Sequence, residues 1–547
     1  MESSATSSVP EKTRNPPRHR WFPLLVVVLL AGWWFRRLAA VDYTTVFHVL
    51  AVLLAGMLVA LWYLRYGGGS NRVRQWIVGL GLLALVAWLV TFRPVYNGDM
   101  GIYGWRLRFA MDADERLAEI AGTAEAVDWQ TTPQDYPRFL GTGYWPEVPG
   151  VRLETDWIAH PPQEVWRREI GGGWSGFAVV GNYAVTQEQR GDRELVTCYR
   201  VDTGDVVWVH GDATRFDPND FAGGLGGIGP RATPTLHDGK VLTQGGTGIV
   251  NCLDARTGRV LWRHDTVAET GADVVTWGKS GSPLVVDDLV IVSVGAANDP
   301  AAREGFDASL VAYDLETGEL RWSAGNRQAS YASPVLATFG GERQIIVLNE
   351  SWVTAHRVND GRVLWEFPWS DVNDTNATTT QPIPLAGDRL FLSKGYGVGA
   401  ALLAILRDDA GEFAVEPLWD PPIKRVMKTK FSNPVVRDGF VYGLDDVLLA
   451  CVALETGKVE WKKRRRPEFG HGQILLAGDV ILVLSETGEL ALVEASAESY
   501  RELAAIQALD PDNVTWNTLA LAPPYLLVRN AREAACYRLA LATSGAP

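Results

Sequence analysis

The chain has 547 residues, too many for one ordinary hydrophobic core, so several domains or a repeat array is the expectation. Its net charge of −13 excludes a general nucleic-acid binder, whose footprint would be basic. The 22 Trp and 55 Gly point to one structural role used many times, and 4 Cys are few for a disulfide-stapled scaffold.

In chain order, residues 21–35, 45–63 and 76–92 are apolar runs without a charge. A spanning helix takes about 17–25 mostly apolar residues. The second run suffices, the third just reaches that length, and the first does so only with its flanks. The expectation is a cytoplasmic tail over 1–20 and three transmembrane helices within 21–93. Lys12, Arg14, Arg18 and Arg20 precede the first run, and Arg36 and Arg37 follow it. Arg65, Arg72 and Arg74 separate the second from the third, and Arg93 follows the third. An N-terminus inside leaves seven of these charges inside and three outside, as the positive-inside rule requires. Everything after Arg93 is then expected on the outer side of the membrane. A signal peptide cleaved near Leu38–Ala40 is the alternative for the first run, and it leaves the same topology. Residues 94–155 read as a connector with one short solvated helix at 112–126.

From residue 156 one phrase recurs: CYRVDTGDVVW (198–208), CLDARTGRVLW (252–262), AYDLETGELRW (312–322), AHRVNDGRVLW (355–365) and CVALETGKVEW (451–461). Apolar alternation before each phrase means strand. The Thr-Gly or Asp-Gly step supplies a tight hairpin through Gly204, Gly258, Gly318, Gly361 and Gly457. Trp208, Trp262, Trp322, Trp365 and Trp461 fill one fixed packing slot. With Trp166 and Trp419 the Trp positions return every 42 to 60 residues, against about 40–45 for a four-stranded propeller blade before insertions. The longer intervals contain insertions at 212–229, 296–307 and 372–380. Degenerate copies follow at 484–503 and 517–541. The last lacks an outer strand, while 164–170, carrying Trp166, is an outer strand with no blade. Joining them closes a ring without free edges. The fold expected is all-β, an eight-bladed β-propeller over 156–547 preceded by three transmembrane α-helices.

Ala312, Asp314, Thr317, Gly318 and Trp322 match in full the docking motif A-x-D-x-x-T-G-x-x-x-W of quinoprotein-type propellers. Cys252, Asp254, Thr257, Gly258 and Trp262 match it with Cys for Ala. On these residues the chain resembles the pyrroloquinoline-quinone-repeat family, which includes the outer-membrane assembly lipoprotein BamB and the quinoprotein dehydrogenases. The resemblance covers about 156–547 and leaves out the membrane helices. Such a fold hosts unrelated functions, so function must be argued from sites.

Cys198, Cys252, Cys451 and Cys536 share one phase of the repeat. Neighbouring blades keep equivalent positions about 10 Å apart, beyond the ~7 Å that a disulfide tolerates. All four read as buried small hydrophobes. GLGGIG at 224–229 spells a dinucleotide fingerprint, but Pro230 and a strand follow where a helix is needed. The residues opening each inner strand carry more. Trp174, Arg231, Ser280, Tyr331, Thr379, Phe431, His471 and Trp516 should surround one mouth of the central channel, with Lys279, Lys428, Lys430, Glu188 and Arg190 beside them. An aromatic and basic rim suits a planar anionic ligand or a protein partner. KKRRR at 462–466 follows a Trp strand, so it belongs on the rim away from the axis.

For a dehydrogenase the resemblance implies a quinone between a Trp and two adjacent cysteines, a calcium ion, and an Asp as base. The sequence has no adjacent Cys pair and no Asp among the eight ring residues. The function expected is therefore a membrane-integral binding or scaffolding module of the bacterial envelope, similar in kind to BamB. Its partner would be a protein or envelope component, and no cofactor or metal is expected. A dehydrogenase using pyrroloquinoline quinone (PQQ) with calcium is the alternative.

Overall fold

The computed structural model describes residues 44–66, 69–99, 101–117, 127–218, 226–295, 308–370 and 376–542. The tail, the first apolar run, most of the helix expected at 112–126 and the insertion at 296–307 lie outside these residues. Two units divide the chain, Met1–Ala110 and Met111–Pro547.

In the first unit, helices cover Thr44–Tyr66 and Asn71–Thr91. Ser70 caps the second, its hydroxyl accepting the Val73 N–H, which satisfies one orphan donor of the first turn. Among the described residues one helix, Asn71–Thr91, is long and apolar enough to cross a membrane. A hairpin of Phe92–Tyr96 and Ile102–Leu107 follows directly.

In the second unit the alternating segments form eight radial sheets. Blades 1 to 8 cover 178–212, 235–265, 284–324, 335–368, 383–417, 435–463, 473–507 and 520–538. Blade 8 supplies three strands, and Gln163–Glu169 adds the fourth by pairing with Glu533–Arg538. The two ends of the chain's propeller thus close the ring on each other.

The recurring phrase is a joint between blades. Each Gly stands in the left-handed region, and each lies under the Trp of the preceding blade. A Cβ on Gly258 would fall 2.4 Å from the Trp208 ring, and one on Gly361 2.5 Å from Trp322. Only Gly admits both the backbone and the ring. The indole N–H then donates to a carbonyl of that blade: Trp208 to Ala255 (2.9 Å), Trp322 to Val358 (3.0 Å), and, across the closure, Trp166 to Val201 (2.7 Å). Blade 5 departs from the pattern. Its outer turn lacks Thr-Gly, and Trp365 donates instead to Gln344 Oε1 of its own blade (2.8 Å).

The cysteines face these Trp across the strand pair. Cys198 opposes Trp208, Cys252 opposes Trp262, Cys451 opposes Trp461 and Cys536 opposes Trp166, while Ala312 and Ala355 do the same for Trp322 and Trp365. A small residue leaves room for the indole. Where blade 7 puts Ala504 in the Trp position, the partner grows to Leu492. All four thiols are free and buried.

Residues 127–153 are built into the propeller. Tyr136 bridges to Val179 of blade 1, and the Leu236 N–H of blade 2 donates to Pro137 O (2.8 Å). Trp145 then packs into the cores of blades 5 to 7. Glu147–Val148 adds a fifth, parallel strand to blade 7, and Leu153 bridges to Leu541. Blades 2 and 6 lie opposite each other, so the chain crosses the axis between Pro137 and Trp145. It does so at the end where inner strands finish, away from the mouth.

Candidate binding site at the mouth of the axis

The residues opening the inner strands do converge, and a hydrogen-bonded girdle positions them. From blade 1 to blade 5, the residue two positions after the one that opens the inner strand passes a bond to the next blade. Gly176 N donates to Thr233 Oγ1 (3.0 Å), Thr233 N to Ser282 Oγ (3.0 Å), and Ser282 N to Ser333 Oγ (2.8 Å). Ser333 N donates to Gln381 Oε1 (2.9 Å), and Gln381 N to Asn433 Oδ1 (2.7 Å). Gln473 continues it from its side chain, donating to Phe431 O and Trp516 O. These groups are buried, and unpaired each would cost about 1–3 kcal/mol. The sequence signal was there: the third residues are Thr, Ser, Ser, Gln, Asn and Gln in a run of blades.

Above the girdle the first residues divide into two halves. Trp174 and Trp516 meet at 4.7 Å between ring centroids, Phe431 and Trp516 at 4.8 Å, and Phe431 and His471 at 5.6 Å. This is one continuous aromatic surface, with Trp174, Phe431 and Trp516 half-buried and His471 fully buried. Trp516 Nε1 donates to Glu486 Oε1 (2.7 Å). Lys430 lies against this half, its ammonium 4.7 Å from the Tyr396 centroid and 5.9 Å from that of Phe431. Only 6 % of Lys430 is exposed, where the sequence placed it on an open rim.

The other half is polar. Trp174 Nε1 and Arg231 share the Gly226 carbonyl, Arg231 also donates to Gly227 O (2.6 Å) and Gly229 O, and its guanidinium lies 4.5 Å over Phe216. Burial pulls the Arg231 pKa down to about 10, with Glu194 and Tyr331 opposing. Glu194, in blade 1, accepts from Gly246 N (3.1 Å); burial pushes its carboxyl up to about 7 against that bond and Arg231. Tyr331 accepts from Trp277 N (3.2 Å), and Ser280 Oγ donates to the Tyr331 carbonyl. Thr379 Oγ1 donates to Lys430 O.

Three residues expected beside the ring lie inside the fold. Lys279 donates to Asp273 O (2.6 Å) and Val294 O, and burial lowers its pKa to about 8. Glu188 accepts from Gly171 N (2.6 Å), Thr197 Oγ1 (2.7 Å) and Tyr199 OH (2.7 Å), with Arg190 Nε at 3.1 Å. Burial opposes its ionisation, but Arg190, Thr197, Arg529 and Tyr199 together hold its pKa below the usual range. Fully buried Arg529 crosses from blade 8 to bond Thr186 Oγ1, Gln187 O and Gly171 O. This cluster ties the closing blade to the first. Lys428 pairs with Asp446. The basic run is also partly spent: Lys462 pairs with Asp445 (2.9 Å), Arg464 with Glu468, and Arg465 with Glu489 and Glu502.

Residues 192–463 match the profile of the family described as outer membrane protein assembly factor BamB. The chain is 23 % identical over 334 residues to that factor from Shewanella oneidensis, covering 53 % of this chain and 78 % of the relative. It is 26 % identical over 283 residues to the dehydrogenase subunit of the quinone alcohol dehydrogenase of Komagataeibacter europaeus, covering 48 % of this chain. There it spans only 32 % of the relative's length. A quinohemoprotein alcohol dehydrogenase structure from Pseudomonas putida HK5 superposes with a TM-score of 0.50 at 14 % identity, covering 76 % of this chain and 82 % of that one. That likeness speaks to the fold alone.

Proposed function

We propose that this PQQ-repeat, quinoprotein-like propeller, which resembles BamB, is a membrane-anchored binding or scaffolding module of the bacterial cell envelope. Its propeller would stand on the periplasmic side behind three spans within 21–93. The apolar helix Asn71–Thr91 and the bias of Lys and Arg around the runs support that topology.

The observation that carries the binding role is the half-buried surface of Trp174, Phe431 and Trp516. Their faces meet each other within 5 Å, and the indole N–H groups are spent on Gly226 O and Glu486. What they offer a visitor is flat apolar area, with the charges of the largely buried Lys430 and Arg231 lying close behind it. Aromatic faces beside Arg and Lys give affinity through stacking and charge-assisted contacts without chemistry. A protein segment or a planar anion fits that offer, and the name of the BamB relatives favours an envelope protein.

A quinone with calcium does not fit these residues. Among the described residues, no three His, Cys, Asp or Glu groups gather to hold a metal ion. The cysteines lie singly, buried against Trp on separate blades.

Photo-crosslinking from Phe431 and Trp516 in intact cells tests the reading. Adducts with an envelope protein, lost on Trp174→Ala with Lys430→Ala, are expected. Dye reduction by the purified chain that requires both quinone and calcium would make it a dehydrogenase and sink the proposal.

A further inference from the structure

We propose a second binding site at the end of the axis away from the mouth, for a small carboxylate with a compact aromatic body. A cleft of about 440 Å³ lies there, between residues 137–144 and the inner strands of blades 2 to 5. Small-molecule pockets run about 300–1,000 Å³, mostly apolar with a few placed polar groups. The cleft has this make-up. Phe139 and Tyr144 line it from the crossing segment, and Pro283, Pro334 and Leu336 from the blades; Ser333 and Gln381 of the girdle close its inner end.

Charge gives the ligand its sign. The chain carries −13 overall, yet no Asp or Glu lines this cleft, and Arg138 and His237 do. Asp238 approaches His237 at 3.5 Å but is 82 % exposed, outside the lining. Arg138 donates to Gly141 O (3.0 Å) and Thr142 O (2.8 Å). Those neutral carbonyls fix the guanidinium in place and leave its charge uncompensated. Burial lowers its pKa, and only Tyr144 and Tyr136 oppose that. A carboxylate supplies the bidentate partner that such a fork accepts.

The loop that holds Arg138 is strained as well as fixed. Leu140 is buried with φ +64°, and Gly141 follows at +78°. A branched residue seldom adopts this region, and such strain persists only where the surroundings over-determine it. Tyr136 supplies that constraint, because a Cβ on Gly141 would stand 2.7 Å from its ring. The cation is therefore preorganised at the cleft wall.

Calorimetry on the full chain in detergent, with 3-phenylpropanoate and its uncharged amide as probes, tests the site. The acid should bind saturably and at least about tenfold more tightly than the amide, the scale of one charged hydrogen bond. Arg138→Gln should bring the acid down to the level of the amide, and Arg138→Lys should keep part of the preference. Val285→Phe, which fills the cleft from a half-buried strand position, should abolish binding of both at an unchanged melting temperature. Equal binding of acid and amide, no saturable heat from the acid, or a preference that survives Arg138→Gln overturns the proposal. Binding that survives Val285→Phe removes it from this cleft.

Discussion

Replacing Gly318 by Ala tests the blade joint directly. Gly318 has φ +74°, and a Cβ there would lie 2.6, 2.8 and 2.9 Å from Trp262 Cγ, Cβ and Cδ2. The left-handed backbone costs an L-residue about 1–2 kcal/mol. The indole cannot swing away, because its N–H is held by Leu315 O at 3.1 Å and only 7 % of the residue is exposed. Overpacking of this kind costs a further ~1–3 kcal/mol. Gly239 is the control, since it has φ +73° with nothing within 4 Å of its Cβ. Gly239→Ala should thus cost only the backbone share, about 1–2 kcal/mol, and Gly318→Ala about 2–5 kcal/mol. Trp262→Ala alone should cost about 3–5 kcal/mol. In that background the clashes with Cγ and Cδ2 are gone while the Cβ at 2.8 Å remains, so Gly318→Ala loses the ring's share of its steric cost and the pair should couple by up to about 1–3 kcal/mol. Urea unfolding of the full chain, followed by far-ultraviolet circular dichroism, reads all four proteins. If Gly318→Ala costs no more than Gly239→Ala, or the double variant costs the full sum, the docking argument is wrong.

The cysteines should be silent to thiol reagents at pH 8 in the folded chain and all react in denaturant, since burial pushes Cys252, Cys451 and Cys536 up to about 12; any disulfide-linked peptide pair would contradict this. Glu194 should set a pH slope. Its carboxyl stands at about 7 when folded against an ordinary 4.5, so stability is fully present below pH 4.5 and falls as pH rises towards 7. The loss is about 3 kcal/mol. Glu194→Gln keeps an acceptor for Gly246 N–H and should flatten that slope; an unchanged slope in urea titrations would refute it. A reporter active only in the cytoplasm, fused after Pro547, should stay silent, and signal from it would reverse the proposed topology.

The propeller was legible because its joints repeat. A Gly that must take positive φ and a Trp four residues later recur, and no other residue pair meets both demands. The partner of each Trp was not legible, because spacing along the chain does not say that the ring docks on the blade ahead. Residues 127–153 escaped for a different reason. They hold to the ring by backbone bonds such as Leu236 N–H to Pro137 O and by single anchors such as Trp145, which leave no period in the side chains. Lys279, Glu188 and Arg190 looked like rim residues because charged groups usually seek water. Their burial depends on acceptors from distant turns, Val294 O and Asp273 O for Lys279, and on Arg529 from the last blade, 341 residues beyond Glu188.

The two ends of the axis now read differently. At the mouth, side chains from blades 1, 6, 7 and 8 close over the girdle and present ring faces outward. At the far end the chain itself crosses, leaving a cleft on one side only. A girdle in which five successive backbone N–H groups are answered by the next blade has little freedom to widen there, because parting two such blades would expose buried donors and acceptors together. Passage along the axis would require breaking those bonds and displacing Trp145 from the cores of blades 5 to 7. Recognition requires neither. The energetics therefore favour ligands that dock on a face of the ring, as both proposals have it: one on the aromatic half of the mouth, the other in the Arg138 cleft, with girdle residues Ser333 and Gln381 at its inner end.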